Sequence, residues 1–199
     1  IGYRTRIMSI LCCVLIVSLQ ARNPMILSGA DDTIRLLCIF SMFLPLGAYF
    51  SVDRALDPEP EDSQTVLSSV SSFAILAQVS ILYLFTFLFK WHPIWIEDNT
   101  ALYFMFQLDV FTNQFGQYLL GYPNLLRAMT AFFVWCELLC PILLWSPVMT
   151  TQTRLLAIFI ISSMQIGIAS TMGIGMFPFI SITALMLFIP STIWNTGFT

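Results

Sequence analysis

The amino-acid sequence predicts an all-α membrane protein, a polytopic transmembrane helical bundle, and two observations support this. Of the 199 residues, 58% are hydrophobic and only 10% are charged, and the mean hydropathy is +0.84. Soluble domains carry roughly 25% charged residues, so these charges are too few to cover a soluble surface. In addition, several apolar runs approach the roughly 20 residues that a membrane helix needs. We therefore predict about five to six membrane helices, with an interfacial or re-entrant segment between the third and the fourth.

Six apolar stretches are the candidates for these helices. They cover approximately residues 7–19, 33–50, 66–89, 125–145, 155–172 and 176–193. Four tryptophans lie near predicted helix ends, as is typical of the membrane–water interface; they are Trp91, Trp95, Trp145 and Trp194. Alternating crossings would place Asn23, Lys90 and Gln165 on one face of a multi-pass protein of the cell membrane.

Two polar segments interrupt this pattern within what we treat as one membrane domain, residues 1–199. Residues 51–65 form an acidic loop that contains Pro58 and Pro60, and its carboxylates lack the spacing of a calcium-binding loop. Residues 90–124 alternate apolar residues with Asp, Asn, Gln and Gly. Irregular backbone at membrane depth must be buried in protein or line a cavity. We therefore expect this polar interfacial segment to form the wall of a site.

Charge, cysteines and motifs exclude several classes of function. The net charge of −3 argues against a nucleic-acid partner, which calls for a basic face. The five cysteines lie inside apolar runs and are interpreted as small hydrophobic residues. Cys136 and Cys140 share a helix face without further ligands nearby, so no metal site is expected. The chain also lacks a Gly-rich phosphate loop, a nucleophile elbow and an HExxH motif.

Lys90 is the only lysine of the chain, His92 is the only histidine, and both follow the longest apolar run. Lys90 has two interpretations. It is either an anchor that extends its ammonium group to the headgroups, or a base that faces a protein-lined cavity, where loss of solvation favours the free amine. His92, followed by Pro93, is either an interfacial polar residue or part of the same site.

Four further polar residues are supporting candidates. Glu137 lies in the middle of an apolar stretch, where a carboxylate must find a partner or be protonated; it either pairs structurally or serves the site. Gln165 lies within the fifth stretch and suits an interhelical hydrogen bond. Asn23 and Asp109 are explained equally well by helix-capping and turn roles.

Six strings in register carry a resemblance to a known family. They are GYRTR, ARNPMILSGADDTIRLL, FLPLGAYFSVDR, FLFKWHPIWIEDNTALYFMFQLDVFTNQFG, CELLCPILLWSP and MGIGMFPF. In this order and spacing they resemble the HTTM domain, the membrane part of vitamin K-dependent gamma-carboxylase and of its bacterial relatives. The resemblance covers nearly the whole chain. In the family two membrane helices precede GYRTR, so we expect a bacterial member that lacks its N-terminal helices.

The resemblance implies a carboxylase- or epoxidase-like enzyme (a lyase) with reduced vitamin K, or a similar quinone, as cofactor. In the carboxylases a lysine base deprotonates the hydroquinone, and peptidyl glutamate is then carboxylated. Lys90 and Trp95 match the family's KxxxxW spacing, although Asp98 replaces the glycine that follows in that pattern. Two histidines of the carboxylases are also replaced, one by Pro24 after Asn23 and one by Gln165.

A second function stays open beside the first. Some bacterial proteins of this type are associated with the maturation of secreted peptide toxins. The chain could then be a non-catalytic membrane component that binds a secreted peptide or helps it mature. Its binding surface would be the polar stretch of residues 92–121.

Overall fold

The computed structural model describes residues 2–48, 51–56 and 70–196. These residues are helical, apart from connecting turns and one isolated β-bridge between Thr112 and Met172. The chain divides into two compact units, Ile1–Gln78 and Val79–Thr199. Helix α4 belongs to both, because it begins in the first and ends in the second.

The first unit contains α1 (Thr5–Arg22), a 3-10 turn (Pro24–Ile26), α2 (Gly29–Ser41), α3 (Val52–Leu56) and the beginning of α4 (Val70–Phe89). Aspartate carboxylates cap the first turns of two of its helices, α1 and α2. Asp53 accepts hydrogen bonds from the backbone N–H groups of Arg4 and Thr5 and from the Thr5 hydroxyl. Ser28 and Asp31 form a capping box at the start of α2, which satisfies N–H groups that no turn of the helix can reach.

The second unit contains the end of α4, three short helices and two long ones, followed by a helical C-terminal part. The short helices are α5 (Pro93–Ile96), α6 (Ala101–Phe106) and α7 (Gln114–Leu119). The long helices are α8 (Pro123–Leu144) and α9 (Thr150–Thr171), and they pack against each other. Next come α10 (Phe177–Leu185), a 3-10 turn (Met186–Phe188) and α11 (Ser191–Thr196).

Polar contacts join the long helices of the second unit at one end. The indole N–H of Trp145, at the end of α8, donates a 2.7 Å hydrogen bond to the Ser80 hydroxyl of α4. The Arg154 Nε of α9 donates to the carbonyl of Leu144. A basic side chain at this place satisfies a carbonyl that the last turn of α8 leaves free.

The prediction of an all-α membrane fold is confirmed. Four helices of the described residues, α1, α4, α8 and α9, are long and apolar enough to cross a membrane. The second and sixth predicted stretches form shorter helices than expected. Pro45 and Gly47 follow the end of α2, and proline removes a helix hydrogen bond. The last stretch changes to a 3-10 turn and then reaches Pro190.

The predicted polar segments have different outcomes. Residues 90–124 contain α5, α6 and α7, none of which has the length of a membrane helix. They fold against the long helices and share a buried apolar cluster with them, formed by Phe106, Leu119, Leu126 and Met172. Of the acidic loop, residues 51–56 contain α3, while residues 57–65 lie outside the described residues. All five cysteines are free thiols.

Candidate functional site

Lys90 and Glu137 form a partly buried ion pair in the second unit. The ammonium group of Lys90 donates a hydrogen bond to Oε1 of Glu137. The side chain of Glu137 is only 7% exposed and that of Lys90 is 23% exposed. The Lys90 Nζ also lies 4.9 Å from the centre of the Trp95 ring, where a cation is attracted to the electron-rich ring face. The ammonium therefore contacts both a carboxylate and an aromatic ring.

A tight turn after α4 positions these groups. Lys90 follows the last residue of α4, and its N–H donates to the carbonyl of Phe87. The His92 N–H then donates to the carbonyl of Lys90. His92 begins α5, where its Nδ1 accepts a 3.4 Å hydrogen bond from the Ile94 N–H and Pro93 occupies the first helical position. One turn of α5 is enough to bring Trp95 back over Lys90.

A cavity of about 220 Å³ adjoins the ion pair, and all of its lining residues belong to the second unit. Most of its wall is apolar, with side chains from α4, α6, α8, α9 and the start of α10. Four of the wall residues are methionines: Met105, Met129, Met164 and Met172. Its polar residues are Tyr83, Thr86, Lys90, Glu137, Gln165 and Thr171. This combination of an apolar wall and a few polar groups is typical of sites for small amphipathic molecules.

Three buried polar atoms that belong to cavity residues have no hydrogen-bond partner among the described residues. They are the Tyr83 hydroxyl, Glu137 Oε2 and Gln165 Oε1. The side chains of Gln165 and Ser181 lie near the Tyr83 hydroxyl, but neither reaches hydrogen-bond geometry with it. An unpaired buried polar group costs about 1–3 kcal/mol, and native proteins contain few of them. The described residues therefore leave the hydrogen-bonding capacity of these three atoms unused.

Asn113, in the polar segment, connects the start of α7 to the end of α9. The N–H of Asn113 donates to the carbonyl of Thr171, and its Nδ2 donates to the carbonyl of Ser170 at 2.7 Å. Its Oδ1 accepts from the N–H groups of Phe115 and Gly116 at the start of α7. One side chain therefore both caps α7 and holds it against the end of α9. Met105 and Phe106 of the same polar segment line the cavity.

The structure brings together three of the six residues singled out from the sequence. Lys90, Glu137 and Gln165 all line the cavity. His92 and Asp109 belong to the same unit but are exposed and do not line it; His92 caps α5, and Asp109 accepts a 3.4 Å hydrogen bond from Gln117 Nε2. Asn23 belongs to the first unit, where it is exposed and its side chain accepts from the Met25 N–H.

The polar lining residues Tyr83, Thr86 and Thr171 were not singled out from the sequence, and neither was Asn113 between α7 and α9. Tyr83 precedes Lys90 by seven residues, and this spacing places the two on one face of a continuous helix. That spacing was a usable signal, because Thr86 continues the same polar stripe. Asn113 had no such signal, since its partners at Ser170 and Thr171 are more than 50 residues away.

The helices and the cavity define a membrane protein with a partly buried lysine–carboxylate pair in the wall of a mostly apolar pocket. A model of the HTTM domain family matches residues 33–194, and the chain belongs to this family. It is thus a membrane domain of the gamma-carboxylase type. No curated protein and no solved structure gives a significant match to the chain.

Proposed function

We propose that the chain is a multi-pass protein of the cell membrane with a carboxylase- or epoxidase-like site, in which Lys90 takes a proton from a lipid-soluble substrate. The observation that carries this proposal is the position of the only lysine at the cavity. A lysine that served only as an anchor would extend along the helix end toward the headgroups. The side chain of Lys90 instead contacts Glu137 and Trp95 within the second unit.

The cavity suits a reduced, vitamin K-like quinone as cofactor. Its apolar wall would take the ring and the isoprenoid part, and the unpaired atoms of Tyr83, Glu137 and Gln165 would bind hydroxyl groups. When bound, such a hydroquinone supplies an acidic phenolic proton and the electrons that react with oxygen. The chain's own contribution is to hold the polar end beside Lys90, to exclude water and to receive the proton at Nζ. Residues 90–124 serve in this proposal as the interfacial segment that shields the site.

Oxygen uptake by the purified chain in lipid nanodiscs, with a reduced naphthoquinone as probe, tests the proposal. We expect uptake above the protein-free background for wild type and its loss in Lys90→Ala and Lys90→Arg. Arginine keeps the charge but cannot act as a neutral base. Arg127→Ala is the matched control, because it removes one exposed positive charge from α8 and should leave uptake unchanged.

The same variants distinguish this proposal from the alternative function. A wild-type chain without uptake, or a Lys90→Arg variant equal to wild type, would argue against Lys90 as a base. A non-catalytic component that binds a secreted peptide, or helps it mature, would then be favoured. Its surface would be residues 92–121, which contain the exposed side chains of Asp109 and Gln117.

A further inference from the structure

The contact between Lys90 and Glu137 raises a question about the proposed base. An ammonium group has three N–H donors and no lone pair, so Lys90 must lose a proton before it can accept one. We propose that Glu137 accepts the proton of Lys90 inside the cavity and so releases Lys90 as a free amine. Glu137 is in this sense a positioning residue that acts through Lys90. The inference rests on the proposed function.

The transfer requires only the two groups that already touch. The hydrogen bond runs from Lys90 Nζ to Glu137 Oε1. The Nζ–H bond breaks and an Oε1–H bond forms, so an ammonium and a carboxylate become an amine and a carboxylic acid. No oxidant, reductant or further reactant is involved. The product is the neutral amine that can take a proton from a substrate hydroxyl.

Burial lowers the free energy that is needed to form the neutral pair from the charged one. Glu137 is 6% exposed and faces a cavity with mostly apolar walls. Loss of solvation is far more costly for two charges than for two neutral groups, and mutual attraction of the charges offsets only part of this cost. In water the charged pair would be strongly preferred, whereas here the difference between the two forms is reduced.

The second oxygen of Glu137 supports the same conclusion. A carboxylate has about four acceptor positions, and hydrogen bonds from two or three backbone N–H groups strongly favour its ionised form. Glu137 Oε2 accepts none from the described residues. Lys90 is therefore the only described group that stabilises the ionised form by direct contact.

The surroundings of the pair contain no competing cation among the described residues. The other polar groups that lie near Glu137 or line the cavity are Tyr83 and Thr86 on α4, Cys136 and Cys140 on α8, and Gln165 and Thr171 on α9. None of these carries a positive charge, and the ring of Trp95 covers Lys90 from α5. The protonation of Glu137 is consequently coupled to Lys90 more than to any other described group.

The first test removes the charge of Lys90 and observes the carboxyl group of Glu137 by infrared spectroscopy. In Lys90→Met we expect a C=O stretching band of a protonated carboxyl group at neutral pH. The band should disappear in Lys90→Met/Glu137→Gln and persist in Lys90→Met/Glu97→Gln, because Glu97 is exposed. Absence of the band in a folded Lys90→Met protein would overturn the inference.

A second test keeps Lys90 in place. Only a free amine reacts with an acylating reagent, and the single lysine allows its acylation to be measured by peptide mass spectrometry. In wild type the amine forms by transfer within the pair, so we expect the acylation rate to change little with pH near neutrality. In Glu137→Gln the amine can form only by loss of the proton to water, so the rate should rise by up to about tenfold per pH unit. Glu97→Gln should keep the wild-type pH profile, and a wild-type rate that rises with pH as steeply as that of Glu137→Gln would refute the inference.

Neither test uses a substrate, so the two proposals can fail separately. If Glu137 is protonated in Lys90→Met but the wild-type chain shows no oxygen uptake, the enzymatic function fails and the role of Glu137 as proton acceptor stands. Oxygen uptake that depends on Lys90, without the infrared band and with the same pH dependence of acylation in wild type and Glu137→Gln, would support Lys90 as the base and exclude Glu137 from the mechanism.

Discussion

Lys90 at the end of α4 and Glu137 in the middle of α8 form an ion pair across 47 residues of sequence. The pair connects the turn that follows one long helix to the buried face of another. Each partner is the reason that the other can be tolerated in an apolar environment, because a buried charge without a counter-charge is strongly unfavourable. Because of this mutual dependence, we expect the effects of substitutions at the two positions on the free energy of unfolding to be non-additive.

We expect Lys90→Met to lower the free energy of unfolding by about 3 kcal/mol, because it leaves Glu137 without its partner. In Lys90→Met/Glu137→Gln the free energy of unfolding should decrease clearly less, since both charges are then absent. Thermal unfolding in detergent, followed by circular dichroism, measures the difference. Equal destabilisation by the single and the double variant would show that the ion pair does not couple the two helices.

Tyr83→Phe should maintain or slightly raise the stability of the ligand-free protein. The hydroxyl of Tyr83 is buried and has no hydrogen-bond partner among the described residues, and its removal relieves an unsatisfied group. The same change should weaken binding of a reduced naphthoquinone, measured by fluorescence titration. Tyr103→Phe removes a hydroxyl outside the cavity lining and should change neither quantity. A clear loss of stability in Tyr83→Phe would indicate that the hydroxyl is satisfied in the native protein.

Gly167 offers a way to fill the cavity from α9. It lines the cavity, and a Cβ atom at this position would meet no atom within 4 Å. Gly167→Ala should raise stability by up to about 1 kcal/mol, because glycine is a poor residue for a helix interior. Gly167→Leu should occupy the space and abolish naphthoquinone binding without disturbing Lys90. Unchanged binding in a folded Gly167→Leu protein would place the ligand elsewhere.

Asn113→Ala should detach α7 from the end of α9. The change removes the hydrogen bond to Ser170 and the cap of α7, which together contribute about 2 kcal/mol. Hydrogen exchange of the α7 amides should therefore become at least tenfold faster. Asn124→Ala, at an exposed position at the start of α8, is the control. Protection of α7 equal to that in wild type would contradict this role.

Asp53 makes the first unit sensitive to acid. The N–H of Thr5, and then that of Arg4 together with the Thr5 hydroxyl, hold the pKa of Asp53 below its usual 3.8. A carboxyl group with a lowered pKa contributes stability that is present above pH 3.8 and is lost as the pH falls through the lowered value. NMR signals of the Thr5 amide should accordingly shift below pH 3.8. Asp53→Asn should remove this shift, whereas Asp98→Asn should not.

The membrane fold was predictable because it depends on composition and on the lengths of apolar runs. Two helices were predicted too long, since hydropathy does not register the effect of Pro45 or of the 3-10 turn before Pro190. Lys90 and Glu137 were recognisable as charges next to or within apolar stretches. Their mutual contact was not, because it depends on how α4 and α8 pack, and nothing in the local sequence specifies that arrangement.

The supporting residues show the same division. Asn23 was weighed as a capping residue and His92 as an interfacial polar residue, each beside a role in the site, and both form helix caps in the structure. A polar residue before a proline has the same local pattern in either role, so only the tertiary structure separates them. The position of Tyr83 beside Lys90 could be predicted from helical periodicity. The contact of Asn113 could not, because its partners lie at the end of α9.

The four methionines in the cavity wall have a consequence for selectivity. Each unbranched thioether side chain rotates about three bonds and adapts to irregular neighbours. A wall of Met105, Met129, Met164 and Met172 can therefore repack around apolar tails of different length and branching. Affinity across a series of such molecules should vary little with the tail and strongly with the polar head. Discrimination between ligands is thus left to the few polar side chains of the cavity wall.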